Sequence, residues 1–102
     1  MREPLRSAHQ LAHAKGLRVI GATVMPVKGS AYYTARSEAK REAINAWIRA
    51  SAPYDTVVDL DRVTASPADD RLNPAYDSGD HLHLNDAGYR AIAGAIHPAD
   101  LG

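Results

Sequence analysis

Residues 17–25 read LRVIGATVM, and this stretch decides the fold of the chain. The run is almost entirely apolar, is rich in β-branched residues and ends before Pro26. A strand covered on both faces has such a continuous run, whereas a strand with one solvated face alternates apolar and polar residues. The stretch from Leu17 to Met25 therefore predicts a buried strand of a parallel α/β sheet.

The residues that follow predict a helix and a second strand. From Thr34 or Ala35 to Ser51, apolar residues recur at helical spacing, and Ala52-Pro53 supplies a stop. The predicted apolar face consists of Ala43, Ile44, Trp47 and Ile48. Thr56 to Leu60 (TVVDL) has the composition of a short strand. Because parallel strands need a crossover connection, the pattern predicts two parallel strands joined by a crossover helix.

Helices are also predicted at both ends of the chain. Residues 3–15 have a narrow, alanine-rich apolar face and a stop at Gly16. A last helix begins after the N-cap residue Asn85 and ends before Pro98. Its predicted apolar stripe consists of Tyr89, Ile92, Ala93 and Ile96. Residues 61–84 show no regular pattern, and a loop of that length in a compact domain is usually functional or disordered.

The composition excludes several classes of protein. Twelve basic residues balance twelve acidic ones, so no net charge attracts nucleic acid. Without cysteine, the chain has no disulfide and no Cys-based zinc site. No apolar run is long enough to span a membrane, and residues 1–16 lack the apolar core of a signal peptide. A longer parent protein would carry any export signal upstream, so localisation stays open.

The most informative motif is YDSGDHLHLNDAGY at residues 76–89. Asp80 and His83 are three residues apart, and residues at this spacing in a turn have Cα atoms within about 7 Å. The Asp80 carboxylate can therefore accept a hydrogen bond from one imidazole nitrogen. The other nitrogen then faces outward as a base, and the carboxylate favours the imidazolium that forms when the base takes a proton. The spacing indicates a catalytic base with its orienting carboxylate.

A metal site is the alternative interpretation of the same motif. His81 and His83 alternate, and with Asp77 and Asp80 they could bind zinc or copper if the four side chains converge. The base-carboxylate pair already uses two of these residues. We therefore expect no metal.

The motif resembles the Asp-x-x-His block of the SGNH hydrolases, also called GDSL-type esterases, with Leu84 where that block commonly has proline. The resemblance covers roughly residues 17–97, because the first strand, its Pro-x-x-Gly-Ser loop and the crossover helix are also similar. It implies one partial domain over residues 1–102, the C-terminal half of a flavodoxin-like three-layer fold. The two strands would be the last of a five-strand sheet. An exposed strand edge would then favour self-association.

The resemblance also implies an activity. The family hydrolyses esters of lipids, small alcohols or acetylated sugars with a serine nucleophile and no cofactor. In this chain Asp80 would orient the imidazole and His83 would be the base. Tyr32 and Tyr33 follow the carboxyl end of the first strand, where ligands bind in open α/β sheets, and are candidate substrate-binding residues.

The family's Gly-Asp-Ser block is absent from this sequence. None of the serines of this chain lies in a Gly-Asp-Ser sequence, and Ser78 merely precedes Gly79 and Asp80. We therefore expect a truncated ester hydrolase that supplies only the Asp-His part of the triad, acts on a small-molecule ester when complemented by an N-terminal half, and is inactive alone. The alternative is a non-enzymatic relic or binding module that contacts a partner through Tyr32, Tyr33 and His81.

Overall fold

The chain folds into helices around a two-stranded parallel sheet. The computed structural model describes residues 2–50 and 54–97. Its elements are α1 (Arg2–Ala14), β1 (Ile20–Ala22), α2 (Ala35–Ala50), β2 (Thr56–Val58), α3 (Leu60–Thr64) and α4 (Asp86–Ala95). The predicted stops at Ala52-Pro53 and Pro98 lie outside the described residues.

The predicted strand-helix-strand unit is confirmed. β1 and β2 are parallel neighbours, with Gly21 opposite Val57, and α2 connects them. Both strands are shorter than predicted, and β1 is not covered on both faces, because Ile20, Ala22 and Val24 are exposed. The apolar run was interpreted as two-sided burial, but within the described residues only one side of β1 is buried.

A buried asparagine ends β1. Asn45 is only 1% exposed, its Oδ1 accepts a hydrogen bond from Val24 N–H at 2.7 Å, and its Nδ2 donates to Val24 C=O at 2.9 Å. The side chain amide thus satisfies both backbone groups of Val24, as a neighbouring strand would. This explains why the strand ends before the predicted Met25.

The buried face of α2 is more polar than predicted. Arg41, Asn45 and Ile48 are buried, whereas Ala43 is exposed. The Arg41 guanidinium, which is paired with Glu38, donates to Val24 C=O at 3.1 Å and to Asp61 Oδ1 at 2.7 Å. A buried guanidinium needs such partners, because an unpaired buried charge is strongly destabilising.

A second arginine extends this network to the end of β2. Arg49 donates from Nε to Asp59 Oδ2 at 2.7 Å and from Nη2 to Asp61 Oδ2 at 2.8 Å. The hydrogen bonds from Arg49 lower the pKa of Asp59 to about 2, although burial opposes ionisation. Asp59 is also the N-cap of α3, where it accepts from Arg62 N–H. The carboxyl ends of both strands are therefore joined to α2.

The segment at 61–84 is more ordered than the sequence indicates. It contains most of α3 and two isolated antiparallel bridges, Ala65 with Leu72 and Asp77 with Leu84. Leu72 and Leu84 are buried and belong to the small apolar core with Ile48 and Val58. Each bridge therefore sets a buried leucine beside an exposed loop.

Both predicted helix signals that fall on described residues are confirmed. Gly16 has a φ of 73° directly after α1, and Leu17 N–H donates to Ala12 C=O at 2.9 Å, as in a Schellman cap. Asn85 caps α4 by accepting from Gly88 N–H at 2.9 Å. The predicted apolar stripe of α4 is largely wrong, because Tyr89, Ala93 and Ile96 are exposed.

Replacing Asn45 by alanine should strongly destabilise the chain. The substitution removes the acceptor of the Val24 N–H and one of the two donors to the Val24 C=O, which still accepts from Arg41 Nη1. An N–H that loses its partner in this part-buried position costs about 1–3 kcal/mol. Urea denaturation measures the change, with Glu42→Ala on the exposed side of the same helix as the control. A loss of less than about 0.5 kcal/mol, typical of a surface substitution, would contradict this account of the strand end.

The exposed face of β1 should make the chain self-associate. Ile20 and Val24 are 38% and 44% exposed. Within residues 2–50 and 54–97, β1 pairs with β2 alone, and such an edge can pair with another chain. Analytical ultracentrifugation should show concentration-dependent association that Ile20→Lys weakens and Tyr89→Lys, on α4, leaves intact. A monomer over the whole accessible concentration range would show that this edge does not pair.

Candidate active site

Residues 77–84 form a tight loop that two carboxylates hold together. Asp77 and Leu84 pair at its base, and Ser78 N–H donates to His83 C=O at 3.0 Å. Inside the loop, Asp80 Oδ1 accepts hydrogen bonds from Leu82 N–H at 2.9 Å and His83 N–H at 2.8 Å. The loop is therefore shaped by its own aspartates, as is usual for Asp in turns.

Asp80 and His83 are in direct contact, as the spacing predicts. Asp80 Oδ2 lies 2.6 Å from His83 Nδ1. The hydrogen bonds from the His83 backbone and ring hold the pKa of the Asp80 carboxyl well below its usual range, so it is a carboxylate at neutral pH. A carboxylate only accepts, so Nδ1 carries the proton and Nε2 of a neutral imidazole has a free lone pair.

The surroundings of this pair leave the His83 ring accessible. The side chain of His83 is 67% exposed, and that of Asp80 is 48% exposed. Ser78 donates its hydroxyl to Asp80 Oδ1 at 3.1 Å. Ser78 therefore supports the carboxylate.

A second Asp-His pair, which was not predicted from the sequence, lies in the same loop. Asp77 Oδ2 lies 2.6 Å from His81 Nδ1, and Asp77 Oδ1 accepts from the N–H groups of Gly79 and His81. Although burial opposes its ionisation, these hydrogen bonds hold the pKa of Asp77 below its usual value. The signal in the sequence was a second Asp-His spacing, four residues instead of three.

The loop is anchored at the start of α4. Leu84 is 5% exposed, and a Cβ atom on Gly88 would lie within 2.9 Å of Leu84 Cβ and 3.0 Å of Tyr76 C=O. Glycine at position 88 thus permits the first turn of α4 to pack against the loop. Asn85 adds a hydrogen bond from Nδ2 to Ala75 C=O at 3.0 Å.

The loop after β1 approaches this site through Gly29. A Cβ atom on Gly29 would lie 3.6 Å from Cγ and Cδ2 of His81. Tyr32 and Tyr33 follow on the same loop, and Tyr32 is 72% exposed. Their predicted role in substrate binding stays a prediction.

Three further findings concern a cavity, metal binding and membrane-spanning helices. A cavity of about 540 Å³ is lined by Arg62, Ser66, Asn73, Tyr76 and neighbouring residues, but not by Asp80 or His83. Within residues 2–50 and 54–97, no three His, Asp or Glu side chains converge as a metal site, because each aspartate of the loop takes its own histidine. No helix in this part of the chain is long and apolar enough to cross a membrane.

A family model for GDSL-like lipases and acylhydrolases matches residues 1–91. The chain belongs to the GDSL-like lipase/acylhydrolase family. This GDSL-like chain is similar to two solved structures. One is assigned to the acylhydrolases and comes from Bacteroides fragilis, with a TM-score of 0.65 and 26% identity. The other is a GDSL-like lipase from Bacteroides thetaiotaomicron, with a TM-score of 0.67 and 27% identity.

The GDSL-like chain spans about half the length of these solved relatives. The aligned regions cover 92% and 93% of this chain, but only 47% and 48% of the two relatives. The α/β fold is therefore a partial version of theirs. Among curated proteins, no sequence matches this chain.

Proposed function

We propose that this GDSL-like chain supplies the base and its carboxylate partner to a Ser-His-Asp ester hydrolase. The observation that carries the proposal is the 2.6 Å contact between Asp80 Oδ2 and His83 Nδ1 in a preformed loop, with the His83 ring largely exposed. Membership of the family supports ester hydrolysis as the reaction.

The proposed chemistry follows from the protonation of this pair. His83 Nε2 takes the hydroxyl proton of a serine as the serine oxygen bonds to the ester carbonyl carbon. Asp80 stabilises the resulting imidazolium through Nδ1–H. The imidazolium then gives its proton to the departing alkoxide, leaving an acyl-serine. Water, deprotonated by the same Nε2, hydrolyses that acyl-serine and restores the serine.

The serine itself would come from a complementary segment. The chain covers about half of each solved relative, and its own sequence contains no Gly-Asp-Ser block. We propose that the part of the relatives that this chain does not cover corresponds to the segment bearing the nucleophile and the oxyanion-hole donors. A histidine without those groups retains little catalysis, so the chain alone should hydrolyse a small activated ester no faster than free imidazole.

Three substitutions test the assignment of the base in a protein that joins this chain to a segment bearing the Gly-Asp-Ser block. His83→Ala should lower the turnover number by about 10³-fold or more, because the base is lost. Asp80→Ala should also lower the turnover number severely, but by less than His83→Ala does. With an activated ester that carries no hydroxyl group, His81→Ala should change the turnover number by less than about tenfold, because His81 holds no proton in the transition state.

The measurement is ester turnover by each variant, with melting temperatures to identify misfolding. His97→Ala, in the segment after α4, is the matched histidine control. A folded but inactive His81→Ala beside an active His83→Ala would reassign the base. A joined protein in which every variant and the parent lack turnover would favour the alternative of a binding module.

A further inference from the structure

The Asp77–His81 pair has the geometry of a built site that the proposed reaction does not use. Both pairs in the loop join Nδ1 to a carboxylate oxygen at 2.6 Å. Asp77 is the more buried of the two aspartates, with a side chain 10% exposed, whereas the His81 side chain is 51% exposed. A buried carboxylate thus holds an accessible imidazole in one orientation.

The backbone of His81 adopts a conformation that favours glycine. Its φ is 62°, in the left-handed region, which is uncommon for residues with a Cβ atom. Asp77 holds this conformation by accepting hydrogen bonds from both the backbone N–H and the ring of His81. Backbone strain of this kind tends to occur at functional sites. Glycine would adopt this conformation without strain. We therefore attribute the presence of histidine at position 81 to its imidazole side chain.

His81 lies where two loops meet. A Cβ atom on Gly29, whose φ is 90°, would lie 2.5 Å from Arg71 Nη1 and 3.6 Å from the His81 ring. The backbone of Arg71 is held because its C=O accepts from Ser66 N–H at 2.7 Å and the next residue, Leu72, is buried. An imidazole and a guanidinium therefore flank Gly29 from separate, ordered segments.

The donors and acceptors at this point suit a hydroxyl group. With Nδ1–H donated to Asp77, Nε2 of a neutral His81 accepts a hydrogen bond, whereas the guanidinium of Arg71 only donates. A hydroxyl can donate to the first and accept from the second. Asp69 lies 3.4 Å from Arg71 Nε, and Asp77 lies behind His81, so the site has no excess of positive charge for an anion.

We propose that His81 and Arg71 form a specificity site that binds a hydroxyl group of the ester substrate, as in an ester of a polyol or sugar. The inference rests on the proposed ester hydrolysis at His83, two residues along the same loop. It places the reacting ester at His83 and a hydroxylated portion of the same molecule beside His81 and Arg71.

A binding experiment on the chain itself tests this site without requiring turnover. The Gly29 amide of the ¹⁵N-labelled chain is followed by NMR during titration with glycerol monoacetate and with propyl acetate, which lacks the hydroxyl groups. The glycerol ester should produce a saturable shift and propyl acetate should not. His81→Gly, which suits the left-handed backbone, should weaken binding by about fivefold or more.

Two further variants make the result specific. His81→Asn keeps an acceptor and tolerates a positive φ, so it should retain affinity within about threefold of the parent. Arg71→Gln should weaken binding as His81→Gly does, whereas Arg62→Gln, at an arginine whose side chain is 77% exposed, should not.

Equal binding of both esters, unchanged affinity in His81→Gly, or no saturable shift with either ester would overturn the inference. Its failure is distinct from failure of the proposed function. If the chain binds hydroxylated esters selectively but the joined protein shows no ester turnover, the proposed reaction is wrong and the proposed binding site stands. If the joined protein turns over esters but the chain binds them without hydroxyl selectivity, the proposed reaction stands and the proposed binding site is wrong.

Discussion

The hydrogen bonds from the buried side chains of Asn45 and Arg41 to the backbone of Val24 are the constraint on which the rest of the structure depends. Together they satisfy the N–H and C=O of Val24 where β1 ends. Arg41 also bonds to Asp61, which follows β2. One helix therefore fixes both strand ends, and the buried side chains of Arg41 and Asn45 have the partners that stability requires.

The position of the candidate site follows from this arrangement. Parallel strands end at the same edge of a sheet, and ligand sites in open α/β sheets lie beyond that edge. The segment after β1 leads to Gly29, which meets the His81 ring of the loop at 77–84. The buried Leu84 and the Asn85 cap hold the other end of that loop. A small core can thus support an exposed but ordered pair of Asp80 and His83.

The features that could be predicted from the sequence are local in the chain. The Asn85 cap and the contact of Asp80 with His83 each depend on residues within one turn, and the composition that indicates each strand is equally local. The parallel pairing of β1 with β2 joins more distant residues, and it was inferred from the crossover helix between them. The contacts of Asn45 and Arg41 with Val24 join residues 21 and 17 positions apart. An apolar-periodicity argument assigns such polar residues to the exposed face, so it misplaced the buried face of α2.

The loop at 61–84 shows the same limit at shorter range. The sequence showed no regular pattern there, and the pairing of Asp77 with His81 accompanies a left-handed backbone at His81, which is uncommon for any residue other than glycine. The helix α3 could not be predicted from the sequence either, because its five residues are too few to show a helical period. Tertiary contacts decide both features.

The central claim is that Asp80 holds His83 as a base with the proton on Nδ1 and a free lone pair on Nε2. The most direct measurement is ¹⁵N NMR of the His83 ring at a pH where the imidazole is neutral. The account predicts the Nδ1–H tautomer in the parent chain and a shift toward a tautomeric mixture in Asp80→Ala. An Nε2–H tautomer in the parent, unchanged when Asp80 is replaced, would contradict it.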